Sequence, residues 1–167
     1  MMRNTRSSLW AMTTTTFSIS IPEPEKVVSR SEKPDEDDER KINDLSVLIY
    51  NADGSLLQSV LNVTDFTTPT GDNSTTKITV KLDDEAKAYS GEATVYIIAN
   101  AGAILNATNT ASLSALRGVT TNATLPATGG FIMSGIVTGK LTSAELLTKP
   151  VTLYRTAAKF TIASTVG

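Results

Sequence analysis

The segment KITVKL, residues 77–82, alternates apolar and polar side chains at every step, and the chain returns to that pattern repeatedly. Successive side chains of an extended strand point to opposite faces, so a period of two buries one face and wets the other. FSISI (17–21) alternates Phe17, Ile19 and Ile21 with Ser18 and Ser20, and Pro22 and Pro24 close it. INDLSVLIY (42–50) sets Leu45, Val47 and Ile49 on one face, and Asp53-Gly54 then reads as a two-residue hairpin turn leading into SLLQSV (55–60). Residues 62–76 read as a loop, and ATVYIIAN (93–100) as a central strand buried on both faces. NTASLSALR (109–117) predicts a short helix capped by Thr110 or Ser112, and TSAE (142–145) has the spacing of a capping box before a single helical turn. FIM (131–133) predicts a short strand followed by Gly135, and VTLYRTAAKFTIAS (151–164) one long or bulged final strand. About seven short strands separated by turn signals predict an all-β fold, a Greek-key or transthyretin-like β-sandwich with one or two short helices. Its core should hold Leu45, Val47, Ile49, Ile78, Val80, Val95, Ile97, Leu153 and Phe160.

Composition narrows the function. The chain contains neither cysteine nor histidine, which removes disulfides, thiolate nucleophiles, the commonest general base and the commonest metal ligands. No catalytic residue, cofactor or bound metal is expected. The net charge of −2 offers no basic field for nucleic acid. No stretch approaches the ~20 apolar residues of a membrane span. The 26 threonines, set against 5% aromatic residues, suit exposed strand faces and an extracellular β-protein. NADGS (51–55) lacks the closing glutamate of a calcium loop, so a turn is the reading. DDE (83–85) reads as a solvated loop, and Gly129-Gly130 as a flexible strand entry. Four Asn-x-Ser/Thr triplets begin at Asn62, Asn73, Asn106 and Asn122 and carry little weight in so threonine-rich a chain. The opening MMRNTRSSLWAM has basic residues but no apolar run, and does not read as a signal peptide.

Between the first two strand patterns lie residues 22–41, with Pro22, Pro24, Pro34, the acidic run DEDDE (35–39), Arg30 and Arg40. Little there can be buried, so it reads as a solvated connector. A bend does not need twenty residues.

The order of parts is informative. An alternating strand, an Arg-bearing spacer, an acidic run and LSVLIYNADG (45–54) are followed by ATVYIIANAG (93–102), FIMSG (131–135) and VTLYRTAAKFTI (151–162). This ordered set resembles the N-terminal domain of Bacteroidales major fimbrial subunits, the fimbrillin family, over residues 15–165. The resemblance implies a structural pilus subunit or fimbria-associated adhesin at the cell surface, not an enzyme. It implies that an arginine-specific protease cuts the spacer, the first strand leaves, and a strand from another fimbrial subunit fills the groove. Carried onto this chain, the removable strand is 15–21, with Phe17, Ile19 and Ile21. The cut follows Arg30, with Arg40 the second choice. Residues 1–14 are then expected to be an export-signal remnant or tail, and 15–167 the N-terminal domain with its spacer at 22–41. The C-terminal domain that would donate a strand is expected to be absent, as is a cysteine for lipidation. The partners implied are other subunits and a host or bacterial surface ligand, with no nucleic acid and no membrane span.

Physical chemistry gives that reading weight. Burying Phe17, Ile19 and Ile21 is worth about 1.5–3 kcal/mol each as an upper figure, against roughly 5–15 kcal/mol for a whole domain. A strand so costly to lose must be replaced. The alternative is a surface-anchored glycan-binding sandwich, which would need an exposed aromatic platform built from Tyr50, Tyr89, Tyr96 or Tyr154.

Overall fold

A computed structural model describes residues 14–20, 41–66, 76–119, 130–142 and 150–155. Eight strands form, β1 (Thr14–Ser20), β2 (Leu45–Tyr50), β3 (Leu56–Val63), β4 (Thr76–Lys81), β5 (Ala93–Ala99), β6 (Met133–Gly139), β7 (Val151–Thr152) and β8 (Tyr154–Arg155). Among the described residues two short helices, α1 (Asp84–Ala88) and α2 (Leu113–Arg117), lie between these strands. One sheet has the order β4-β1-β7 and the other β3-β2-β5-β6-β8. Their facing sides meet in one core in which Phe17, Ile19, Ile78 and Val151 from the small sheet pack with Leu45, Val47, Ile49, Val95, Ile97 and Met133 from the large one. This is the all-β sandwich that the alternation predicts. Eight of the nine expected core residues are buried, and Phe160 lies outside the described residues.

Several local expectations are corrected. The β2–β3 connection is a five-residue loop, not a two-residue hairpin, and only Gly54 takes a positive φ, at +91°. Asn51 closes the loop, because its Oδ1 accepts from the backbone amides of both Asp53 and Ser55 at 3.0 Å. Asp83 is no loop carboxylate. It caps α1 by accepting from Ala86 N at 2.9 Å, and Asp84 and Glu85 fill the first turn, where the positive end of the helix dipole favours them. The later helix starts at Leu113, with Ser112 as its cap. FIM is not itself the strand; β6 begins at Met133 and runs to Gly139. The turn expected at 142–145 lies mostly outside the described residues.

The final strand is not continuous. β7 pairs in parallel with β1, whereas β8 pairs antiparallel with β6, so the chain changes sheet at buried Leu153. Gly135 permits this crossing. A Cβ there would lie 2.5 Å from Thr152 O and 2.7 Å from Val151 Cγ1.

β2 is buried along its whole length, on both faces. Its outer side chains Leu48 and Tyr50 join Ile98, Ala101, Leu105 and Leu116 in a second apolar cluster, so the excursion through residues 101–118 roofs that part of the large sheet. Tyr50 donates from its hydroxyl to Thr110 O at 2.9 Å and meets Tyr96 edge-on at 6.2 Å between ring centroids. Burial, aided by the neighbouring Tyr96 phenol, pushes the Tyr50 pKa up to about 12.

Two outcomes follow. Gly135→Ala should destabilise the fold by about 2 kcal/mol through overpacking, a fall of roughly 4–8 °C in Tm by calorimetry. Gly118→Ala, whose methyl would meet only backbone oxygens at 3.4 Å and beyond, should leave Tm nearly unchanged. For Tyr50, the folded state favours the protonated phenol, so its contribution is complete below the unfolded pKa near 10 and is lost as pH rises through about 12. Denaturation measured from pH 9 to 12 should show that decline, and Tyr50→Phe should flatten it while costing about 1 kcal/mol at neutral pH.

Candidate functional site

β1 reads TTTFSIS, and its burial follows the sequence alternation. Thr15, Phe17 and Ile19 point into the core and are buried, while Thr16, Ser18 and Ser20 lie half-buried on the outer face. The strand is central in its sheet. It runs antiparallel to β4, from Thr14 opposite Lys81 to Ile19 opposite Thr76. Along its other edge it runs parallel to β7, with Ile19 opposite Val151 and Ser20 opposite Thr152. Hydroxyls add cross-strand pairs, Thr16 with Thr79 at 3.0 Å and Ser20 with Thr152 at 3.3 Å. Leu153 N donates to Ser20 O at 2.9 Å, so the sheet-changing corner is tied to the end of β1.

The consequences are geometric. Taking β1 out of this sheet would uncover the apolar sides of Ile78, Val80 and Val151 and leave β4 and β7 with unpaired inner edges. Phe17 and Ile19 are each 0% exposed, so about 1.5–3 kcal/mol of apolar burial goes with each of them. β4 and β7 run in opposite directions, so a strand lying between them is antiparallel to one and parallel to the other, as β1 is.

Of the residues singled out from sequence, Phe17 and Ile19 are brought together in this slot. Ile21, Arg30 and Arg40 lie outside the described residues. β1 itself is Thr14–Ser20, one residue earlier than the 15–21 expected. Sequence reasoning missed the clamp where the chain rejoins the fold after the spacer. Asn100, at φ +62°, accepts from Asn43 N at 2.7 Å and donates from Nδ2 to Lys41 O and Phe131 O, both at 2.8 Å. Its own backbone amide donates to Asp44 O at 3.0 Å, and the Asp44 carboxylate accepts from Gly102 N at 2.9 Å. Asparagine is among the few residues that tolerate this left-handed conformation, and an asparagine closing an apolar strand was the available signal. Gly130, at φ +47°, is not a flexible entry: a Cβ there would collide with the Asn100 amide and with Lys41 O.

The rest of the described surface offers little chemistry. No three of its Asp and Glu side chains gather where they could hold a metal ion. A shallow open groove between the β2–β3 loop and α2 is lined by Asp53, Ser55, Ser112, Ser114 and Arg117. Asp53 is engaged there, since the Ser55 hydroxyl and then the Ser55 amide hold its carboxyl below the usual range. Tyr50 is in the second cluster, Tyr96 packs against that cluster, and Tyr89 donates to Glu92 O. Tyr154, 65% exposed, stands apart from them, so the four tyrosines form no platform for a sugar ring.

Comparison with known proteins places this architecture. The family model described as major fimbrial subunit protein (FimA) matches residues 13–156. A fimbrial assembly protein from Parabacteroides distasonis superposes with a TM-score of 0.57 at 15% identity, covering 85% of this chain and 52% of its own. A candidate cell adhesion protein of the same organism gives 0.54 at 14% identity, covering 85% of this chain and 44% of its own. The chain thus spans about half the length of the solved structures it matches, and at these identities they speak to the fold alone. No curated protein sequence matches. With the family match extending from the residue before β1 through β8, the chain belongs to the major fimbrial subunit protein (FimA) family, a structural and non-enzymatic class.

Proposed function

We propose that this domain is a building block of a fimbria at the cell surface, and that β1 is a temporary occupant of a slot filled in the assembled fibre by a strand of another subunit. The observation that carries the reading is the position of β1. It is a central strand with two fully buried apolar side chains, yet its only covalent path to β2 is the proline-bearing, acidic sequence 21–40. One cut in that path separates β1 from the rest of the sandwich. Arg30 is the proposed cleavage residue, with Arg40 second. An incoming strand would regain both main-chain ladders and the apolar burial, which is the physics of strand complementation. The reading also places the domain among those that meet other subunits and a host or bacterial surface ligand.

Limited digestion with trypsin or an arginine-specific protease, followed by mass spectrometry, tests it. The first cut is expected after Arg30 or Arg40, ahead of Arg117 at the end of α2 and Arg155 in β8, because residues 22–41 carry no apolar stripe to hold them. The excised strand should stay bound until mild heat or denaturant releases it. The remaining domain should then lose a large part of its stability and self-associate. A peptide copying residues 13–22 should restore the melting temperature, and one with Phe17→Asp and Ile19→Asp should not. Resistance of both arginines, or an unchanged melting temperature once the strand is gone, would rule the reading out.

A further inference from the structure

Thr76 is fully buried, and its Oγ1 has no hydrogen-bond partner among the described residues. The alternation along β4 explains where that hydroxyl sits. Thr76, Ile78 and Val80 turn inward while Lys77, Thr79 and Lys81 turn to solvent. Thr76 is the cross-strand partner of Ile19, which is also turned inward. Directly opposed side chains on one face of an antiparallel pair are close enough to touch. β1 therefore sets a hydrocarbon against a buried hydroxyl, which forfeits the hydrogen bond that burial normally demands. The neighbouring inward pair, Phe17 with Ile78, is apolar on both strands and has no such defect. Where these strands carry hydroxyls opposite each other they do pair, as Thr16 and Thr79 do at 3.0 Å and Ser20 and Thr152 at 3.3 Å.

We propose that the β1 slot selects, in the register of Ile19, a residue bearing a hydroxyl, so that a strand with threonine there fits the slot better than one with a hydrocarbon side chain of the same shape. Its meaning for assembly rests on the exchange reading above; the match itself does not. The preferred occupant fills the Phe17 position with a large apolar side chain and pairs its hydroxyl with Thr76, which β1 leaves without a partner among the described residues.

Threonine and valine have the same shape and differ by one hydroxyl, so an isosteric double-mutant cycle in the intact full chain isolates the pairing. The four proteins are Ile19→Val, Ile19→Thr, and each of these combined with Thr76→Val. With Thr76 present, Ile19→Thr should melt at or above Ile19→Val. In the Thr76→Val background, Ile19→Thr should melt lower than Ile19→Val, for a coupling of about 2–4 °C. Equal differences in the two backgrounds overturn the proposal, as does an Ile19→Thr chain that fails to fold where Ile19→Val folds. A second arm uses the arginine-cleaved, strand-free chain and peptides copying residues 13–22 with Ile19→Thr or Ile19→Val. The threonine peptide should bind several-fold tighter, and Thr76→Val should abolish or reverse that preference. A ratio that Thr76→Val leaves unchanged counts against the hydroxyl match and leaves exchange standing. Coupling in the cycle with no binding of either peptide supports the match and removes the exchange reading.

Discussion

The insertion of β1 between β4 and β7 is the contact on which the small sheet depends. Among the described residues β4 and β7 meet in that sheet only through β1. Phe17 and Ile19 supply its middle third of the core, and the corner at Leu153 hangs from the last carbonyl of the strand. β1 serves two neighbours at once, so its absence would cost both ladders.

The large sheet is organised differently. β2 and β5 are adjacent and antiparallel, and their inner faces build the shared core while the excursion through 101–118 covers part of the outer one. Asn100 fixes the start of that excursion and, through Lys41 and Asn43, the segment just ahead of β2.

Much of this was legible in the sequence because it is local. The alternation in β1, β2 and β4 and the cap at Ser112 depend on neighbours two to four residues away, whereas β5, which reads as buried on both faces, leaves Thr94 and Tyr96 half-buried on its outer side. The helix at Asp84–Ala88 was not legible, because an aspartate followed by two acidic residues also fits a solvated loop and five residues give too little periodicity to decide. The break at Leu153 was not legible. Val151 and Leu153 keep an unbroken period of two across both sheets, and the crossing needs the room left by the missing side chain at Gly135, distant in sequence. The roof over β2 was half visible, since LSVLIY is nearly continuous in apolar residues, but its partners lie more than fifty residues on. Of the slot, sequence supplied the occupant, Phe17 and Ile19, and could not supply the unpaired hydroxyl of Thr76, which exists only once the register is set.

The burial of β2 on both faces places one apolar cluster on each side of the large sheet. Opening of the small sheet leaves the second cluster around Leu48 and Tyr50 intact, so the large sheet keeps an apolar face of its own to stay collapsed upon. Amide protons of β2 and β5 are therefore expected to exchange with solvent more slowly than those of β1, β4 and β7, because the large sheet has a second apolar cluster that the small sheet does not share.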